Sequence, residues 1–262
     1  MSLFDLFKKE PKSKDPENNI LLAMPIFNNG DSYQINKVIE NLKSQWNFEI
    51  TDIEGDDEAA SFNISGESIA LANIPVQIPW GDIEGTAKYA YNWPSALKDL
   101  KGHTGHAILS IITSQKSPVD RFRILSKVLG SIFITSNATA VYQGSQSLLI
   151  PRQQYLSYIA ELEENGSPVM LWIYIGLKKI ETGNCAYTYG LKDFQKTEIE
   201  IINSKLSLEE LFDFLLNISS YIIGSNITLK NGETIGITAD QKIPIKLSKG
   251  QFVEGQSLKL EI

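Results

Sequence analysis

The only two histidines of this 262-residue chain, His103 and His106, stand three apart in Gly-His-Thr-Gly-His. That spacing can bring two imidazoles together for a metal ion or for proton transfer. Even a catalytic zinc centre normally has three protein ligands, and Asp82, Glu84 or Asp99 would have to supply the third from nearby loops. No His-Glu-x-x-His sequence is present, and Gly105 between the histidines does not suit a helix. The balance favours structural imidazoles that bond the backbone where a loop meets a strand, so no metal and no cofactor are expected. His103 and His106 remain the site of the alternative reading, a hydrolase or metal-dependent enzyme. The single cysteine, Cys185, lies in Thr-Gly-Asn-Cys-Ala without a nearby charge to lower its pKa, and a buried thiol is expected. Gly-x-Ser-x-Gly, the Walker phosphate loop and Gly-x-Gly-x-x-Gly are absent from the sequence.

Two other groups are suited to contact rather than catalysis. Asp52, Glu54, Asp56, Asp57 and Glu58 crowd one short stretch, which reads as a solvated acidic loop, not a calcium loop. Trp80, Tyr89, Tyr91 and Trp93 gather around a proline-rich segment, and aromatics with a polar tip serve both interfaces and cores. Asp56, Asp57, Glu58 and Trp80 are therefore the candidate interaction residues. Gly232-Glu233-Thr234-Ile235-Gly236 looks like a motif, but a turn at Gly232 and a bulge at Gly236 account for it.

Charge and composition narrow the classes. Twenty-four Lys+Arg against 31 Asp+Glu give a net charge of −7, and arginine occurs only at 121, 123 and 152. Nucleic-acid binding needs a basic face, so none is expected. One cysteine allows no intrachain disulfide, and no apolar run approaches the ~20 residues of a membrane span. The expected localisation is the cytoplasm. Leu3, Phe4, Leu6 and Phe7 beside Lys8 and Lys9 resemble a short interfacial helix; the simpler readings are a frayed tail, or a peptide that packs its phenylalanines on the body. A membrane contact is not favoured.

Strand and helix signals alternate after the tail. Ile20–Phe27 is a short apolar run suited to a buried strand, and Asp31 with Gln34 reads as a helix start. Ile35, Val38, Ile39, Leu42 and Trp46 form one helical stripe. Strands follow at 48–53, 60–64 and 67–74, a helical stretch broken at Pro94 covers 83–100, and 107–113 is another buried strand. Ser117-Pro118 opens a long helix, followed by a strand near 139–142 and a helix over 152–164. Further strands are expected at 169–179, 186–189 and 198–203. Ser207 and Glu210 form a capping box for an amphipathic helix that ends at Gly224. An Asn231-Gly232 hairpin then joins 227–229 to 233–238, and strands at 243–247 and 257–260 close the chain.

From Tyr187 onward the sequence YTYGLKDFQKTEIEI, the capped helix ending ISSYIIG, LKNGETIGIT and the closing KGQFVEGQSLKLEI resemble the bacterial domain-of-unknown-function family 4261. VQIPW at 76–80, HTGHAILSII at 103–112 and NATAVYQG at 137–144 extend the likeness upstream. Gln195 departs from it, where the pattern Phe-Gly-Lys has glycine. The family implies no activity. The combined reading is an α+β protein, mostly antiparallel sheet packed by helices, in two intimately joined halves: a flexible tail over 1–19, an N-terminal half over 20–166 and a C-terminal half over 167–262. The favoured function is a non-enzymatic module that binds another protein, as a toxin neutraliser or an accessory subunit of a bacterial system.

Overall fold

The computed structural model describes residues 20–113, 115–164, 166–236 and 242–262. The tail expected over 1–19, and the end of the strand expected over 233–238, lie outside them. The fold is α+β, built on two mostly antiparallel sheets.

Among the described residues the first sheet contains seven strands. They are β1 (Leu21–Phe27), β2 (Ile50–Gly55), β3 (Ala59–Ile64), β4 (Glu67–Ile74), β5 (Gly105–Ile111), β6 (Ala140–Gln143) and β7 (Leu148–Pro151), in the order β2-β3-β4-β5-β1-β6-β7. Side chains alternate across a strand, and here the two faces differ in size. Ala60, Phe62, Ile64, Ile69, Leu71, Ala107, Leu109 and Ile111 point inward and are buried. Helices α1 (Ile35–Trp46), α4 (Pro118–Thr135) and α5 (Arg152–Ile159) cover that face. Ser117 caps α4 by accepting the Asp120 N–H. On the opposite face, α2 (Trp80–Ala87) and α3 (Ala96–Leu100) pack over Ile26, Ala140 and Leu149, so they cover only the β1–β6–β7 flank.

The second sheet has the order β11-β12-β13-β10-β9-β8. Its strands are β8 (Tyr174–Ile180), β9 (Gly183–Tyr189), β10 (Ile199–Ser204), β11 (Thr234–Ile235), β12 (Ile243–Lys249) and β13 (Gln256–Leu260). Helix α6 (Leu208–Gly224) packs on β8 and β9, and its Ser207/Glu210 capping box is complete. One continuous core runs through both sheets. At their junction Phe122 of α4 stacks on Phe194 at 4.5 Å, and the Trp172 indole N–H donates to Ser126 Oγ at 2.8 Å.

Some local expectations are corrected. Asp31 does not cap α1: its N-cap, Gln34, makes no side-chain cap bond. The helical stretch 83–100 is two short helices, α2 starting at Trp80. The helix expected over 152–164 is α-helical only to Ile159 and continues as 3-10 turns. The strand expected from Val169 begins at Tyr174, after a 3-10 turn. β7, which sequence reasoning missed, lies just ahead of α5. Residues 227–229 form no strand; β11 pairs with β12, Thr234 opposite Pro244.

Candidate functional site

The two histidines sit at one end of the first sheet, beneath the segment that leaves β4. His103 is fully buried, and both its ring nitrogens are engaged: Nδ1 meets Leu100 O at 2.8 Å, and Nε2 accepts the Ile78 N–H at 2.9 Å. These bonds fix a neutral tautomer with the proton on Nδ1 and leave no lone pair for a metal. His106 Nδ1 meets Val76 O at 2.9 Å, and burial pushes its pKa down. Together the imidazoles fasten the 76–78 segment across the end of the sheet. Among the described residues, no group of three or more His, Cys, Asp or Glu is placed to hold a metal ion. Cys185 is buried, and its Sγ accepts the Asn203 N–H at 3.4 Å.

Buried carboxylates that sequence reasoning missed are likewise tied into the framework. Glu200 on β10 is fully buried and accepts the backbone N–H groups of Gln251, Phe252 and Val253, the Ser257 hydroxyl at 2.7 Å and the Lys259 ammonium. It clamps the 250–255 loop to the sheet. Glu198 accepts from Thr188 Oγ1 at 2.7 Å, Gly190 N at 2.9 Å and Lys192 N at 3.3 Å; burial nevertheless pushes its pKa up, against these bonds. Asp193, also raised by burial, accepts from Gln146 Nε2 across the junction of the two sheets at 2.6 Å. Glu67, buried on β4, takes Thr113 Oγ1 and lies 3.8 Å from the Arg121 guanidinium. For Glu67, Glu198 and Glu200 the only sequence signal is an acidic residue inside a strand pattern; Asp193 sits in a 3-10 turn and carries no such signal.

The acidic stretch, expected as a loop, is divided: Asp52 and Glu54 lie on β2, and Asp56, Asp57 and Glu58 form the tip of the β2–β3 hairpin. Gly55, at φ +91°, turns the chain where an added Cβ would strike Ala59 O. Asp56 Oδ1 accepts Glu58 N at 2.9 Å, Asp57 Oδ1 accepts Ile35 N at 2.7 Å, and Asp52 Oδ2 accepts Asn63 Nδ2 at 2.7 Å. Asp57 thus supplies, from another element, the cap that α1 lacks. Glu54 and Glu58 make no side-chain hydrogen bond or ion pair among the described residues and extend into solvent. Trp80 starts α2 and bonds Glu84 Oε1 at 2.7 Å. It packs on the covered β6–β7 flank, whereas the hairpin is at the β2–β3 edge, so the structure puts the candidate contacts on opposite flanks of the sheet.

What the hairpin does border is open sheet. On the outer face of β3, β4 and β5, beyond α2 and α3, lie Ala59, Ser61, Ala70, Ala72, Ile108 and Ser110, flanked by Glu54 and Gly55. They floor a shallow depression of about 380 Å³. The register stacks them in rows: Ser61–Ala70–Ser110–Leu22 and Ala59–Ala72–Ile108. Ile112, just past β5, is 40% exposed and Ile20, just before β1, 44%. The signal in sequence was the small-large alternation of Ala-Ala-Ser-Phe-Asn-Ile and Ser-Ile-Ala-Leu-Ala-Asn, in which every second residue is small.

Residues 187–261 match the family model described as Domain of unknown function (DUF4261). The likeness to this family thus covers the C-terminal part of the chain, from within β9 through β13. The upstream stretches at 76–80, 103–112 and 137–144 fall outside the matched residues. No curated protein and no solved structure matches the chain.

Proposed function

We propose that this chain, whose residues 187–261 match the DUF4261 model, is a protein-binding module that receives a basic, amphipathic segment of another protein on the open face of β3, β4 and β5. The observation that carries this reading is a small-residue, apolar floor left uncovered beside a hairpin whose Glu54 and Glu58 project freely. A sheet face normally buries itself against another layer, and exposed apolar patches rimmed by polar residues mark interaction sites. An Ala/Ser floor leaves room for large side chains of a partner, while the acidic rim favours lysine or arginine beside them. A toxin neutraliser or an accessory subunit, in the bacterial cytoplasm, is the kind of protein this reading implies.

The test is capture from the native host with the parent chain and with Ala70→Arg, whose side chain would stand in the centre of the floor. The expected result is a partner lost with Ala70→Arg at unchanged melting temperature and cross-linked to the face through a basic segment. Glu54→Lys with Glu58→Lys should slow its association more at low salt than at high, because exposed charges are screened. A partner that binds Ala70→Arg as well as the parent would overturn the assignment.

A further inference from the structure

We propose that the open face has an occupant within the chain: residues 3–7, Leu-Phe-Asp-Leu-Phe, lie on it in competition with the partner. This rests on the docking reading above and adds how the face is regulated.

Three observations converge. The first is where the chain enters the sheet. Leu22 of β1 stands in register with Ser110, which faces Ala70 and then Ser61, so the polypeptide emerges at Ile20 beside the open face, at the end where Ile20 and Ile112 are exposed. The second is reach. Residues 8–19 span up to ~40 Å when extended, at about 3.3 Å per residue. Crossing from β1 to β3 takes only about 14 Å, at roughly 4.8 Å per strand. The third is chemistry. Leu3, Phe4, Leu6 and Phe7 offer bulky apolar groups to a floor of alanine and serine, and the following stretch from Lys8 to Lys14 carries lysines at 8, 9, 12 and 14 against Glu10 alone. Apolar groups followed by lysines match an apolar floor flanked by Glu54, with Glu58 at the tip of the adjoining hairpin. Tethering supplies an effective concentration in the millimolar range, so a contact of only millimolar strength occupies the face about half the time and yields to a tighter partner.

The experiment compares the full chain, the chain lacking residues 1–18 and Phe4→Ser/Phe7→Ser in the full chain, by methyl NMR. The expected result is that both changes shift the methyl resonances of Ala59, Ala70, Ala72 and Ile108, and leave those of Ala23, Ala107 and Ala186 in the core unmoved. A synthetic peptide of residues 1–15, added to the truncated chain, should restore the shifts at millimolar concentration, and Ala70→Arg should abolish this. Unmoved face resonances on truncation would overturn the proposal. So would shifts that grow with protein concentration, which would put the tail on a second copy, or tail contact with anionic vesicles and none with the face. If the face resonances do not move and the host partner is still lost with Ala70→Arg, the tail proposal fails alone. If the peptide binds and no partner depends on Ala70, the partner reading fails and the tail contact stands.

Discussion

Replacing Asp57 with alanine separates framework from contact surface within the acidic hairpin. Its carboxylate accepts the Ile35 N–H at 2.7 Å, at the first residue of α1, where Gln34 offers no side-chain cap and the first turn holds no acidic residue. Loss of an N-terminal cap costs about 1 kcal/mol, and loss of a negative charge at the positive end of a helix removes about 0.3–1 kcal/mol. Exposure of the hairpin screens the second contribution, so the total is near ~1.3 kcal/mol. For a chain of this size each kcal/mol is worth about 2–4 °C, and Asp57→Ala should lower Tm by roughly 3–5 °C. Asp57→Asn keeps an oxygen acceptor and loses only the charge, so it should fall by roughly 1–2 °C. Glu58→Ala removes a side chain that bonds to nothing among the described residues and should stay within about 1 °C of the parent. Calorimetry on the three variants, backed by urea midpoints, reads this directly. Equal melting of Asp57→Ala and Glu58→Ala would refute the capping argument. The ordering also governs how contact is tested: charge reversal at Asp57 disturbs folding, while Glu54 and Glu58 report on association alone.

Other outcomes follow from the buried polar groups. Glu200→Ala leaves Lys259, Ser257 and three loop N–H groups without their acceptor, and should cost about 3–5 kcal/mol; the double variant with Lys259→Met should recover part of this in urea unfolding. Glu198 has its pKa raised by burial, so the folded state holds its proton more tightly than the unfolded chain does. Its contribution to stability is present below the ordinary carboxyl value near ~4.3 and is lost as pH rises through the raised value. Glu198→Gln should therefore gain on the parent between pH 4 and pH 7; a difference that is flat or of opposite sign would reject burial as the cause. His103→Ala opens a cavity and strands the Ile78 N–H, and should destabilise by about 2–4 kcal/mol. Prolonged dialysis against a chelator should leave the parent Tm unchanged, whereas a fall of several degrees would point to a resident metal.

The legible part of the fold is the part decided by near neighbours. The inward stripe of α1, the Ser117 cap of α4 and the Ser207/Glu210 box of α6 each rest on residues within a few turns of one another, and the structure has them as the sequence implies. The illegible part depends on partners far along the chain. Asp31 offered a local cap for α1, yet the carboxylate that serves the helix comes from Asp57, 22 residues away. Asn231-Gly232 signalled a hairpin between its immediate flanks, yet the hydrogen bonds of Gly232 N and Ile245 N run between this turn and β12. Glu200 looked like one polar residue in an apolar strand because its donors lie at positions 251–259.

The candidate site follows the same division. Gly-His-Thr-Gly-His drew attention because histidines are rare and chemically versatile, but His103 has both nitrogens committed to Leu100 and Ile78. Versatile groups lose their availability once buried, since a buried donor or acceptor must be bonded within the protein. The open face works in the opposite direction. Ala59, Ser61, Ala70 and Ala72 carry no reactive group and attract no notice singly; they become a feature only when register sets them in adjoining rows and α2–α3 stop short of covering them. A face meant only for water gains nothing from such a floor, because long charged side chains would cover the apolar strands better. Small side chains there keep the depression open beside the unengaged carboxylates of the hairpin, and the proposed docking of a bulky, positively charged segment rests on that juxtaposition.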